Sequence, residues 1–168
     1  MTRTQTMHRL TDHSYTAGTG WLLAVDGGLR AGVAMFDRHG TPLWCRSFHY
    51  ATIGSMRRAA RALFFRHAQL EHLLVEGGGA AGGAWQREGT HAGLQVHAIG
   101  AEAWRRALLP AHAVRSGKDS KQAAVAMASA LFRRHGKALV RPPAHDAAEA
   151  VMAGVYFFSM LQQTDGQD

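Results

Sequence analysis

A chain of 168 residues, 46% hydrophobic and 18% charged, has the apolar material for one packed domain, and its length argues against a two-domain enzyme. Nineteen Lys and Arg against twelve Asp and Glu give +7, with a sequence pI of about 10.5 and a mean hydropathy of -0.18, a balance that favours polyanionic partners and nucleic acid first among them. A single cysteine, Cys45, excludes an intramolecular disulfide and a cysteine-based zinc cluster.

Residues 1–20, rich in Thr, Arg and His, read as a flexible leader or a DNA-touching arm. Trp21 to Val25 is an apolar run of strand length, ended by the turn dipeptide Asp26-Gly27. Gly32 to Phe36 predicts a second strand, and Leu43 to Tyr50 a third, all three antiparallel. Ser55 is placed to cap a helix whose apolar positions Met56, Ala59, Ala60, Leu63, Phe64 and Leu70 recur at helical spacing. Arg57, Arg58, Arg61 and Arg66 turn elsewhere on that segment, a candidate phosphate-binding face.

His72 to Val75 predicts a central strand that delivers Glu76 into the run Gly77 to Gly83, which is expected to be irregular. A fifth strand is predicted over Leu94 to Ile99, then a short helix over Ala101 to Leu108 and a loop over Pro110 to Lys118. Asp119 or Ser120 is expected to cap a helix running through Phe132 and ending at Gly136. A last helix is predicted from His145 to about Leu161, apolar on nearly every face and so buried against a sheet. Residues 21–163 form the predicted domain, and 164–168 a flexible tail. No apolar stretch approaches the ~18 residues of a membrane span.

Asp26, Glu76, Asp146 and Glu149 stand at the junctions of these elements. Singly, each has a plain structural reading: a turn residue, a strand end, and helix N-terminal residues favoured by the dipole. If the first and fourth strands run side by side in parallel, however, Asp26 and Glu76 emerge at one end of the sheet, where ligand sites gather. Asp146 and Glu149, three apart, share a helix face, and the small residues Ala147, Ala148 and Ala150 let that helix come close. Four carboxylates meeting without Lys or Arg between them repel one another, a cost that hard divalent cations such as Mg²⁺ or Mn²⁺ relieve. The eleven histidines show no zinc-binding spacing.

The hairpin Asp26-Gly27-Gly28-Leu29-Arg30-Ala31-Gly32-Val33-Ala34, the strand end Leu74-Val75-Glu76, the stretch Ser116 to Gln122 and the closing His145-Asp146-Ala147-Ala148-Glu149-Ala150 together resemble the RuvC Holliday junction resolvases of the RNase H-like superfamily. The likeness covers about 21–158. It implies an α/β, RNase H-like fold, with a mixed five-stranded sheet flanked by helices. It further implies a homodimer that nicks four-way DNA junctions, inside a prokaryotic or bacteriophage-infected cell. Asp26, Glu76, Asp146 and Glu149 would bind two metal ions, and Lys121 would contact the phosphate backbone near the cut. Lys118 and Arg105 or Arg106 would add DNA contacts, and His145 would be auxiliary.

Glu149 stands where the family usually has aspartate, which keeps the charge and lengthens the reach. Gly77, Gly78 and Gly79 stand where the family carries an aromatic wedge, with Trp85 as a displaced candidate or a core residue. The helix that normally follows is expected to be shortened. The implied chemistry is two-metal phosphodiester hydrolysis, with no side-chain nucleophile. An RNA-processing nuclease like the YqgF enzymes, or a catalytically silent DNA-binding module of the same fold, are the alternatives.

Overall fold

A computed structural model describes residues 20–164. The expected leader and tail therefore lie, except for their innermost residues, outside the described part. The strands are β1 (Trp21–Asp26), β2 (Arg30–Phe36), β3 (Pro42–His49), β4 (Leu70–Glu76) and β5 (Gln95–Ile99). They form one sheet in the order β3-β2-β1-β4-β5, with β1 antiparallel to β2 and parallel to β4. This is the mixed five-stranded sheet expected from the resemblance.

The helices are α1 (Ile53–Arg66), α2 (Gly79–His91), α3 (Ala101–Leu108), α4 (Ala111–Val114), α5 (Gly117–Arg134) and α6 (His145–Thr164). Because side chains alternate along a strand, each strand feeds two cores. Leu22 and Ala24 of β1 with Leu74 of β4 pack beneath Ala148, Val151 and Phe157 of α6 and Phe132 of α5. Leu23 and Val25 with Leu73 and Val75 pack on the other face against Met56, Ala60 and Phe64 of α1 and Trp85 of α2. No helix among the described residues is long and apolar enough to cross a membrane.

Several local expectations are corrected. Thr52, not Ser55, caps α1, and Ser55 supplies the returning half of the capping box, so the helix begins one turn earlier. The glycine run is not irregular throughout: α2 takes in Gly79, Gly82 and Gly83, so the helix after Glu76 is not shortened. Its glycines fit because the chain is crowded here. A Cβ on Gly82 would lie 2.8 Å from the Gly77 carbonyl oxygen, and the buried Ala84, Trp85 and Glu88 hold the helix despite poor propensity. Finally, Ser116 rather than Asp119 or Ser120 caps α5, and α4 interrupts the expected loop.

Trp85 is fully buried and belongs to the core, which removes it as a displaced wedge. The arginines of α1 do not act as one phosphate-binding face either. Arg57 and Arg61 each bond at 2.5 Å to Glu88 of α2, pulling its carboxyl down to about 2. Arg58 and Arg66 stay exposed.

Candidate active site

Asp26 and Glu76 are register partners on adjacent parallel strands. They continue the faces of Leu22, Ala24 and Leu74, so both side chains turn toward the α6 side of the sheet. The N-terminus of α6 reaches them because β2 carries Gly32. A Cβ at that position would lie 1.8 Å from the Asp146 carbonyl oxygen, so any other residue would push the helix away. Gly32 is also the β1 partner of Asp26. One backbone position thus sets the distance between the strand-borne and helix-borne acids.

Each acid except Asp26 has a protein donor. Trp104 of α3 donates its indole N–H to Glu76 Oε2 at 2.6 Å. The next residue, Arg105, donates from Nη2 to Glu149 Oε1 at 2.7 Å. Ser47 of β3, the register partner of Gly32, donates its hydroxyl to Asp146 Oδ2, and Asp146 Oδ1 accepts from the Ala147 backbone. Glu76 and Glu149 are buried, at 4% and 6% exposure.

The electrostatics follow from this arrangement. Burial, then Glu149 and Asp146, push the Asp26 carboxyl up to about 6, against the opposing pull of Arg105 and Lys121. Burial and Asp26 push Glu76 up to about 7, and the Trp104 hydrogen bond draws it back in part. The acids are therefore close enough to oppose one another's ionisation. The expectation of carboxylates free of basic neighbours is corrected: Arg105, partly exposed, is bound to Glu149. Arg106 is exposed and faces Glu102 at 3.5 Å. Lys118 and Lys121 are exposed on the first turns of α5, and His145 is exposed at the start of α6.

Among the described residues, no three His, Cys, Asp or Glu side chains are grouped closely enough to hold a metal ion as they stand. The donor set nonetheless suits a hard divalent cation in its chemistry: oxygen ligands alone, two of them with carboxyls raised by burial and mutual repulsion. The conformation described is one in which Arg105, Trp104 and Ser47 occupy oxygens that such an ion would share. Two members of this arrangement, Trp104 and Ser47, escaped the sequence reading. Trp104 precedes an arginine already singled out, but nothing in the sequence distinguishes a core tryptophan from one that bonds a carboxylate. Ser47 is found only through register.

No family model matches the chain, and no curated protein does. Solved structures do. T. thermophilus RuvC in complex with Holliday junction substrate is 17% identical over 85% of this chain and 96% of its own, at a TM-score of 0.59. The catalytic core domain of BIV integrase covers 89% of this chain and 99% of its own, at 10% identity and a TM-score of 0.34, an overlap that supports no inference. The chain thus shares the fold of that RuvC structure.

Proposed function

We propose that this protein is a metal-dependent endonuclease that nicks branched DNA, the four-way junction foremost, and works as a homodimer. The observation that carries the reading is the pairing of Asp26 and Glu76 on neighbouring parallel strands, with the N-terminus of α6, which carries Asp146 and Glu149, packed closely on Gly32 beside Asp26. The RuvC structure with the same fold was solved with a Holliday junction, and the +7 charge of this chain suits such a polyanion.

Asp26, Glu76, Asp146 and Glu149 would hold two Mg²⁺ or Mn²⁺ ions, which supply Lewis acidity toward an attacking water and the leaving 3′ oxygen. Glu149 must turn from Arg105 to take part, which frees that guanidinium to face a phosphate. Lys121, whose charge already reaches Asp26, is placed to neutralise charge on the phosphodiester near the cut. Trp104 fixes one Glu76 oxygen and leaves the other available. The water oxygen forms a bond to phosphorus as the bond to the 3′ oxygen breaks, so the products carry a 5′ phosphate and a 3′ hydroxyl.

The test is cleavage of labelled four-way junction, matched linear duplex and structured RNA, with and without Mg²⁺. Paired nicks confined to the junction support the reading. Preferential RNA cleavage would instead place the protein with RNA-processing nucleases, and metal-independent binding without cleavage of any substrate would make it a silent module. Asp26→Asn should keep junction binding and lose cutting.

A further inference from the structure

Trp44, Arg46, Phe48 and Tyr50 succeed one another on alternate positions of β3 and its continuation, roughly 6.7 Å apart, and all line one groove between this strand and α1. The groove has a volume of about 460 Å³, and Arg66 at the end of α1 and the adjoining His67 also line it. Phe48 and Tyr50 are near-parallel, with centroids 6.0 Å apart and planes at 12°. The ring of Trp44 lies 6.2 Å from that of His67. All three aromatic side chains on the strand are only partly buried, while Arg46 and Arg66 are exposed. The structure gives neither arginine an acidic partner among the ion pairs of the described residues.

We propose that this groove binds an unpaired stretch of nucleic acid, with Trp44, Phe48 and Tyr50 stacking on bases and Arg46 and Arg66 pairing with the phosphates. Rings interleaved with unpaired guanidinium groups are the chemistry that recognises a single strand, since every base offers a π-face and every link an anion. An acidic or apolar protein partner would use only one of these two features. The groove also adjoins the candidate active site. β3 is an edge strand. Its alternation sends Ser47 to Asp146 on one face and sends the neighbouring Arg46 and Phe48 into the groove on the other. A strand leaving the carboxylates past the outer edge of β3 meets Phe48 and Tyr50 first, because Tyr50 closes onto Leu29 beside the Asp26 hairpin, its N–H donating to the Leu29 carbonyl at 2.8 Å. This placement rests on the nuclease reading; oligonucleotide binding by the groove does not.

The test uses the full chain without divalent ions and a fluorescein-labelled oligothymidylate, read by anisotropy. Arg46→Glu and Arg66→Glu, both at exposed positions, should each weaken binding at least fivefold and together at least thirtyfold. The wild-type protein, photocrosslinked to an oligonucleotide carrying 5-iododeoxyuridine, should be labelled at Trp44, Phe48 or Tyr50. The crosslink depends on no variant's folding. Labelling confined to other residues, or charge-reversed affinities within twofold of wild type, overturns the proposal. So does a concentration-dependent dimer that the same two variants disrupt, since the groove would then belong to a second copy. Asp26→Asn separates the two readings: groove binding persists in it, and a wild type that binds the oligonucleotide but cuts no substrate refutes the nuclease reading alone.

Discussion

Arg105 is bonded to Glu149 at 2.7 Å, and its charge partly offsets the upward push on the carboxyls of both Asp26 and Glu76. A guanidinium in that position is an internal counter-ion, holding together acids that otherwise repel. It also competes with any divalent cation for Glu149. Replacing Arg105 by Met keeps the apolar stem and removes the charge. The metal-free protein should lose on the order of 2 kcal/mol, somewhat less than a fully buried pair, because Arg105 is partly exposed. The rise in melting temperature on adding Mg²⁺ should grow. Thermal melts of the two proteins with and without Mg²⁺ check both signs, and an unchanged Mg²⁺ increment would mean that Arg105 and the cation do not share a ligand.

Trp104 acts on the neighbouring acid by a different route. Its indole N–H is the one side-chain donor to Glu76 among the described residues, and it draws the carboxyl down against burial. Trp104→Phe retains most of the packing and deletes the donor. Leaving a buried carboxylate short of one hydrogen bond costs about 1–3 kcal/mol, and the Glu76 carboxyl should titrate higher. If cleavage requires Glu76 ionised, the acid limb of the pH–rate profile moves to higher pH in the variant. An unmoved limb with lower stability would confine Trp104 to packing.

The sheet was legible because its strands carry unambiguous signals: short apolar runs, Asp-Gly and Gly-containing turns, and one crossover helix of the right length to make β1 and β4 parallel. Parallel pairing in turn made the meeting of Asp26 with Glu76 foreseeable, since both terminate their strands. The misjudged segments are those where tertiary contact outweighs local preference. Gly79 to Gly83 reads as a loop by propensity, yet the close packing of Gly82 on the Gly77 turn makes glycine the residue that fits inside α2. Arg57 and Arg61 read as a free cationic face because their partner, Glu88, lies on a different helix. Arg105 was singled out for its charge, but its direction depends on how α3 lies against α6, and no spacing rule encodes that.

The pH dependence of stability follows from the two raised carboxyls. Burial pushes the Asp26 carboxyl up to about 6 from the ordinary 3.8, and that of Glu76 up to about 7 from 4.5. Between pH ~4 and ~7 the folded protein therefore retains protons that the unfolded chain has released. This contribution to stability is fully present below the ordinary values and is lost as pH rises through the folded ones. Each unit is worth roughly 1.4 kcal/mol, so the metal-free protein should melt lower at pH 8 than at pH 5.5. Divalent cations compete with the same protons, so Mg²⁺ should raise the melting temperature at pH 8 and have little effect at pH 5.5. Asp26→Asn should flatten the metal-free slope. A metal-free melting temperature that instead climbs steadily from pH 5.5 to 8 would contradict the burial of these two acids.

Gly32 offers a test of the architecture that touches no acidic side chain. Ala at this position places a methyl group 1.8 Å from the Asp146 carbonyl oxygen, well inside contact distance, and the obstructing atom is backbone that cannot rotate away. Either β2 bends or the N-terminus of α6 lifts. The helix end is the easier of the two to move, since β2 is paired on both sides. Overpacking of this kind costs typically 1–3 kcal/mol, so the variant should fold with reduced stability. Its carboxylates remain in the chain, but Asp146 and Glu149 would stand farther from Asp26 and Glu76. Cleavage should then fall by two orders of magnitude or more, while duplex and junction binding through exposed basic residues changes little. The Mg²⁺-dependent rise in melting temperature should shrink with it. Near-wild-type cleavage in a folded Gly32→Ala protein would show that the helix-borne acids need not approach the strand-borne pair, and would remove Asp146 and Glu149 from the site.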